Sequence, residues 1–290
     1  MRGNKSDGDR FKRARQIEIL SLIERKPNCH SVADLCDIFH VEVATIHRDL
    51  RDLREVGHDI HSSKNKLILF RSLTEKDYRI LLSNYLTSVS GIISFPKNIS
   101  LTVKQLKGKT LEIFTEMVGA IETREKIEID YMRHKDSHLR KYILEPYDII
   151  PGNRDWRLIA VSDGIFKQFI IGGIREIKRT GSSFKRTTEY SADEYYSGSF
   201  GFFSGKNLFD AVLEFKKNVG NAVSNRTWSE DQEITLGNDG KVTLKIKVNS
   251  IEEVGSWILS WGGEVKVIEP GELKKYVIEK ARGILKSNRA

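Results

Sequence analysis

At Glu125 the apolar period of this chain changes. Upstream, hydrophobic residues recur every three to four positions; from Glu125 they alternate, with Ile127, Ile129 and Tyr131 set against Glu128 and Asp130. The first pattern buries one stripe of a helix and the second buries one face of a strand. Helical segments therefore precede a sheet. A chain of 290 residues is also long enough for two or three domains that each bury a core. A multidomain α+β protein follows.

The helical part opens with RFKRARQIEILSLIERKPN, in which Ile17, Leu20 and Ile23 share a stripe flanked by Ile19 and Leu22, ending before Pro27. The residues before it, rich in Gly, Ser and Asp, read as a mobile start. Ser31 is a plausible N-cap for VADLCDIF, where Val32, Leu35, Cys36 and Phe39 recur at helical spacing. A third helix follows in VEVATIHRDLRDLREVG. Val43, Ile46, Leu50 and Leu53 line one side of it, leaving His47, Arg48, Arg51 and Arg54 to the other side or its flanks, and Gly57 stops it as a C-terminal cap. DIHSSKNKLILF then reads as a strand pair around a polar turn at Ser62 to Lys66. Three helices and a two-stranded wing make a winged helix-turn-helix.

Charge supports this reading without deciding it. The net charge is +8, and the excess is spread as +3 over residues 1–72, +3 over 73–199 and +2 over 200–290 when counted from the sequence. No segment is a basic tail, so any nucleic-acid surface must come from arrangement. Two cysteines, Cys29 and Cys36, fit a reduced compartment. The N-terminus has no apolar core of a signal peptide and no run approaches a membrane span. A cytoplasmic protein without membrane contact is expected.

Residues 73–120 return to a helical pattern, with Thr74 and Asp77 as a start signal and Ser94 to Ser100 as a break. They carry no evident chemistry and read as a linker or dimer-supporting helical pair. Strands follow at YILEPYDIIP, DWRLIAVSD, KQFIIGG and EIKRTGSSF, close enough together for a small barrel or strongly bent sheet. The last block, Leu208 to Leu285, reads strand, helix, strand, strand, helix, strand, helix, with a hairpin signal at Asn238-Asp239-Gly240.

Three resemblances run along the chain in order. Thr45, Ile46, Arg48, Asp49, Leu50 and Leu53 match the T-I-x-R-D-L-x-x-L core of the DeoR-type winged helix; Glu42 stands where that family usually has a capping serine. P-Y-D-I-I, W-R-L-I-A and F-I-I-G-G-I-R-E-I resemble the WYL domain, a small Sm-like barrel. Trp156 and Leu158 match its name motif, with Arg157 in place of the tyrosine. Phe169, Ile171 and Ile174 match its F-R-L-D-R-I strand, but Ile170 and Gly173 replace two arginines that would hold an anion in bidentate fashion. L-S-W-G-G-E-V-K-V-I-E-P resembles the extension that accompanies WYL domains, here a ferredoxin-like α+β domain. The resemblance implies a winged helix at 1–72, a helical linker at 73–120, a WYL ligand-sensing barrel at 121–200 and a dimerisation domain at 205–290. The whole is similar to WYL-domain transcriptional regulators, including those of the phage-defence systems BREX and CBASS, which are usually repressors.

In a winged helix the N-terminal half of the third helix enters the major groove. Thr45, His47 and Arg48 are therefore expected toward base edges or phosphate and Arg51 toward phosphate, with Ser63, Lys64 and Lys66 of the wing on the backbone or minor groove. The opposing reading pairs Arg48, Arg51 and Arg54 with Asp49, Asp52 and Glu55 on a solvated surface. Tyr131, Arg133, Arg140, Trp156, Arg157, Lys167 and Gln168 are the candidates for a nucleic-acid or nucleotide-like ligand, against the plain reading that Trp156, Leu158 and Phe169 are core. Cys29, His30, Cys36 and His40 lack structural-zinc spacing. Glu125, Glu128, Asp130 and Asp136 could suggest a nuclease site, but alternation explains Glu128 and Asp130 as the outer face of an edge strand. No catalysis, metal or cofactor is expected. A homodimer on an inverted-repeat operator of double-stranded DNA is. A non-operator nucleic-acid sensor or accessory factor is the alternative, ahead of a nucleic-acid-processing enzyme, which metal-dependent turnover of an oligonucleotide would reveal.

Overall fold

A computed structural model describes residues 3–90, 96–132, 138–152, 155–187, 208–228 and 231–289. The chain divides into two compact units, Met1–Arg186 and Thr187–Ala290, each with its own hydrophobic core. Among the described residues no helix is long and apolar enough to cross a membrane.

The first unit begins with α1 (Gly3–Arg25), α2 (Val32–Phe39), α3 (Val43–Glu55), β1 (Ile60–Ser63) and β2 (Lys66–Leu69). Helix α1 starts earlier than the sequence suggests, at Gly3 rather than within the basic stretch. Ile17, Ile19, Leu20 and Ile23 are all buried because α1 is covered from two sides, by α3 and by the helices that follow the wing. Helix α2 opens with a capping box: Ser31 Oγ accepts from Asp34 N, and Asp34 Oδ2 accepts from Ser31 N at 2.7 Å. Helix α3 ends in a Schellman motif. Gly57 N–H donates to Arg54 O at 2.9 Å and His58 N–H to Leu53 O at 3.0 Å, with Gly57 at φ +99°, a conformation that glycine adopts without Cβ strain.

Helices α4 (Glu75–Ser90), α5 (Pro96–Leu106) and α6 (Thr110–Thr123) follow. Thr74 and Asp77 form the expected start, Thr74 N–H donating to Asp77 Oδ2 at 2.8 Å. The expected break at Ser94 to Ser100 falls partly outside the described residues, and α5 begins inside it at Pro96, a residue suited to the first helical position. These helices pack into the core. Tyr85 Oη donates to Glu18 of α1 at 2.9 Å, Tyr78 Oη bonds Glu24, Ser21 Oγ meets Thr115 Oγ1 at 3.2 Å, and Arg25 pairs with Glu116. Helix α6 then lies across the sheet.

That sheet contains β3 (Glu125–Met132), β4 (Leu139–Pro151), β5 (Trp156–Ser162), β6 (Ile165–Ile170) and β7 (Ile174–Ser183) in the order β6-β5-β4-β3-β7, all antiparallel. It is an open ladder of five strands among the described residues. Strand β4 changes partner halfway: residues 139–144 pair with β3 and residues 145–151 with β5, with a bulge between Pro146 and Asp148. Such a bulge bends a strand and sharpens its twist. Strand β3 lies between β4 and β7, so Glu128 and Asp130 are on an interior strand, not the edge that alternation suggested.

The second unit runs β8 (Phe209–Phe215), α7 (Lys217–Ser224), β9 (Glu233–Leu236), β10 (Val242–Val248), α8 (Ile251–Ser260), β11 (Val265–Glu269), α9 (Gly271–Asn288). Its antiparallel order is β11-β8-β10-β9. The hairpin at Asn238-Asp239-Gly240 closes as expected, with Gly237 N–H donating to Lys241 O at 2.8 Å. Helices α8 and α9 meet through Gly255, where a Cβ would stand 2.5 Å from the Tyr276 ring.

Candidate nucleic-acid interface

The buried stripe of α3 is Ile46, Asp49, Leu50 and Leu53. Val43, expected on this stripe, is instead 54% exposed at its flank, whereas Ile46 of the same turn is fully buried. An acid takes its place in the buried set. Asp49 is 1% exposed and accepts from Arg15 Nε at 2.6 Å and Gln16 Nε2 at 3.1 Å. Asp52 accepts from Gln16 Nε2 at 3.0 Å and pairs with Lys12 at 2.6 Å, and the Lys12 ammonium holds its carboxyl below the usual range.

Both acids of the helix middle are thus satisfied by α1, not by the arginines beside them. Helical geometry then sends Ala44, Arg48 and Arg51 away from the buried stripe, with Val43 and His47 on one flank and Thr45 on the other. Ala44, His47, Arg48 and Arg51 are exposed and Thr45 half-buried. Arg51 pairs with Glu55 at 3.9 Å on an exposed surface, a weak interaction. Arg48 has no ion pair or side-chain hydrogen bond among the described residues. Arg54 points to the wing, its Nε donating to Ile60 O at 2.8 Å. Glu42 caps α3 without a side-chain hydrogen bond.

The wing is held on both sides. Leu67 N–H donates to His30 O at 2.7 Å and Leu67 O accepts from Asn28 N–H at 3.0 Å. Lys66 Nζ lies 2.6 Å from Asp34 Oδ2, and this ammonium with the Ser31 donors holds the Asp34 carboxyl well below the ordinary carboxylate range. Lys66 therefore ties the wing to α2, whereas Ser63 and Lys64 stand exposed at its tip. Lys64 and Asn65 have φ +48° and +60°, the pair of positive values of a two-residue type I′ hairpin. The brace of Lys12, Arg15 and Gln16 escaped the sequence reading; its signal was a polar row on the first helix whose acids lie on the third.

The residues named for a sheet ligand do not gather into one surface. Trp156 is fully buried, edge-on to Phe114 at 6.4 Å. Tyr131 is 8% exposed, stacks edge-on with Tyr142 and Phe169, and its Oη accepts from Ile170 N–H at 3.1 Å. Both sit in the core. Arg157 and Gln168 meet across β5 and β6 at 2.9 Å, with Asp155 3.1 Å from Arg157 Nε. Lys167 leans on Asp163 at 3.1 Å, Arg140 is exposed on β4, and Arg133 lies outside the described residues. Gly173 is packed: a Cβ there would stand 2.7 Å from the Tyr131 ring and 2.9 Å from Met132 O. A cavity of about 350 Å³ opens elsewhere, between α4, α6 and β4, with Leu86, Val118, Ile121 and Tyr147 in its wall.

The acidic residues are bound up in the sheet. Glu125 accepts from Arg179 Nε at 2.7 Å and Gly181 N–H at 2.6 Å. Lys141 lies 3.1 Å from Glu128 and 3.7 Å from Asp130, and Asp136 lies outside the described residues. Cys29 and Cys36 are free thiols, and no group of three or more His, Cys, Asp or Glu side chains among the described residues is placed to hold a metal.

Comparison with known families finds three matches in chain order: an HTH domain over residues 15–66, a WYL domain over 112–178 and a WCX domain over 207–285. No curated protein matches the chain. Among solved structures, proteasome accessory factor B/C (PafBC) of Arthrobacter aurescens is similar at 13% identity and TM-score 0.32, over 97% of this chain and 49% of that one. The chain thus spans about half the length of that protein. A CRISPR Cas-related protein is similar at 13% identity and TM-score 0.41, over 92% of this chain and 77% of that one. It is the three domains in this order that assign the chain, and they give it the domain architecture of the WYL-domain helix-turn-helix regulators.

Proposed function

We propose that the protein is a homodimeric repressor that reads an inverted-repeat operator with α3 and the β1–β2 wing, and that its WYL sheet answers to a nucleic-acid or nucleotide-like ligand. One observation carries the DNA reading. Asp49 and Asp52 of α3 turn inward to Lys12, Arg15 and Gln16 while Arg48 and Arg51 turn outward. Arginines whose neighbouring acids are already satisfied keep their attraction for phosphate. Thr45, His47 and Arg48 would then face base edges, and Arg51, Ser63 and Lys64 the backbone.

A two-fold dimer would set its two recognition helices at half-sites one helical turn or a multiple apart. Residues 205–290, within the second unit, are the proposed dimerisation domain. Its strand order β11-β8-β10-β9 supports the ferredoxin-like reading, and the partner switch of β4 at its bulge supports a barrel-like bend in the WYL sheet. Arg157 and Gln168, which meet across β5 and β6 at 2.9 Å, are the polar groups proposed for the ligand. Such a ligand would change DNA affinity only by binding one dimer geometry better than the other. The resemblance to BREX and CBASS regulators supports a phage-defence operon as the target.

The test is a gel shift on DNA upstream of the protein's own gene, against a scrambled fragment, with Arg48→Ala alongside. Binding to the upstream fragment alone, lost in the variant, is expected. Equal, salt-sensitive binding to both fragments would favour a non-operator nucleic-acid sensor or accessory factor.

A further inference from the structure

The first turn of α3 is unusual for a surface built to meet a polyanion. Beside Thr45 it presents two apolar side chains, Val43 and Ala44; Val43 is 54% exposed and Ala44 is exposed. Neither serves the fold of the described unit, whose core on this helix is Ile46, Leu50 and Leu53. Val43 lies one turn before His47 and two before Arg51 on one row, and Ala44 lies one turn before Arg48. The methyl groups therefore lead the basic row toward the helix tip. In a winged helix the tip is the part that lies deepest against base edges in the major groove. The apolar group displayed there by DNA is the C5 methyl of thymine, which cytosine and uracil lack.

Resting on the operator reading above, we propose that Val43 and Ala44 form a methyl-reading tip, selecting thymine at the half-site positions beneath the start of α3. Arg48 and His47 supply polar readout beside it, and Thr45 adds a half-buried hydroxyl on the other flank. Val43 thereby sets specificity without contributing a hydrogen bond or a charge. Burying one thymine methyl against it is worth about fourfold in affinity, so two half-sites together give on the order of tenfold.

The upstream fragment is amplified twice, once with dTTP and once with dUTP, so that the second duplex keeps its base pairing and loses every C5 methyl. Affinities are measured by fluorescence anisotropy for the full-length protein and for Val43→Ala, a change at an exposed helical site. The wild-type chain is expected to bind the thymine duplex about tenfold more tightly than the uracil duplex, and Val43→Ala is expected to shrink that ratio by at least half. Equal affinity of the wild type for both duplexes overturns the proposal while leaving DNA binding intact. So does a ratio that Val43→Ala leaves unchanged, since discrimination then comes from duplex shape. Failure to prefer the upstream fragment over scrambled DNA, in either base form, overturns the operator reading and this inference together.

Discussion

Asp49 of the third helix is buried to 1% exposure and accepts a hydrogen bond from Arg15 of the first helix at 2.6 Å. This pair sets which way α3 presents its charges. A buried carboxylate deprived of its cation keeps its desolvation cost without compensation. Arg15→Leu is therefore expected to destabilise the first unit by about 2–4 kcal/mol, less than a fully enclosed pair because Arg15 keeps some solvent contact. Adding Asp49→Leu should recover most of that loss. Urea midpoints of the single and double variants decide it, and a double variant no better than Arg15→Leu would show that the pair has no coupling.

At the wing tip, backbone and charge make opposite demands on one residue. Lys64 adopts φ +48°, a left-handed conformation that costs a non-glycine residue about 1 kcal/mol. Lys64→Gly is expected to stabilise the hairpin by about that amount while lowering the slope of log affinity against log salt by about one. A variant that binds DNA with unchanged slope would remove Lys64 from the interface.

The two arginines of the WYL pattern that this chain lacks are not equally restorable. Ile170 is only half-buried, so Ile170→Arg has room for its side chain and should fold, with a stability loss of about 1 kcal/mol that includes repulsion from Arg157 opposite it on the ladder. Gly173 faces Tyr131 at a Cβ distance of 2.7 Å, and even Gly173→Ala should cost about 1–3 kcal/mol through overpacking. Thermal melts of the two variants compare the positions directly. Equal tolerance would mean that Tyr131 moves freely.

Glu24 titrates where α1 meets α4. Burial raises its carboxyl from the ordinary range to about 7, opposed by the hydrogen bond from Tyr78 and assisted by Glu112. The folded state then holds this proton more tightly than the unfolded chain, so its contribution to stability is present at about pH 4.5 and is lost as pH rises to about 7. Glu24→Gln is expected to flatten the fall of the unfolding midpoint across that window. An unaltered pH profile in the variant would place the titration elsewhere.

Much of this was legible in the sequence because it depends on local rules. Ser31 with Asp34, Thr74 with Asp77 and Gly57 each close a helix end through neighbours within a few residues, and spacing reports such contacts. The period change at Glu125 located the sheet for the same reason. What escaped depends on residues far apart in the chain. The opposing reading gave Asp49 to the arginines around it, whereas its partners Arg15 and Gln16 lie 34 and 33 positions away. The tie of Lys66 in the wing to Asp34 of α2 likewise joins residues 32 positions apart. Val43 fitted the apolar stripe by spacing, yet it lies on the flank of that stripe and is 54% exposed. The order of β3 within the sheet, interior and not edge, depends on its pairing with β7 about 50 residues later.

The claim on which the account depends is that the outward face of α3 is the surface that meets DNA. Fluorescence anisotropy on the labelled upstream fragment, comparing Arg48→Ala and Arg51→Ala with Lys141→Ala on the sheet, tests it most directly. Loss of about ten- to a hundredfold in affinity for Arg48→Ala, a smaller loss for Arg51→Ala and wild-type affinity for Lys141→Ala are expected, with circular dichroism unchanged throughout. Wild-type affinity in both α3 variants would contradict the account.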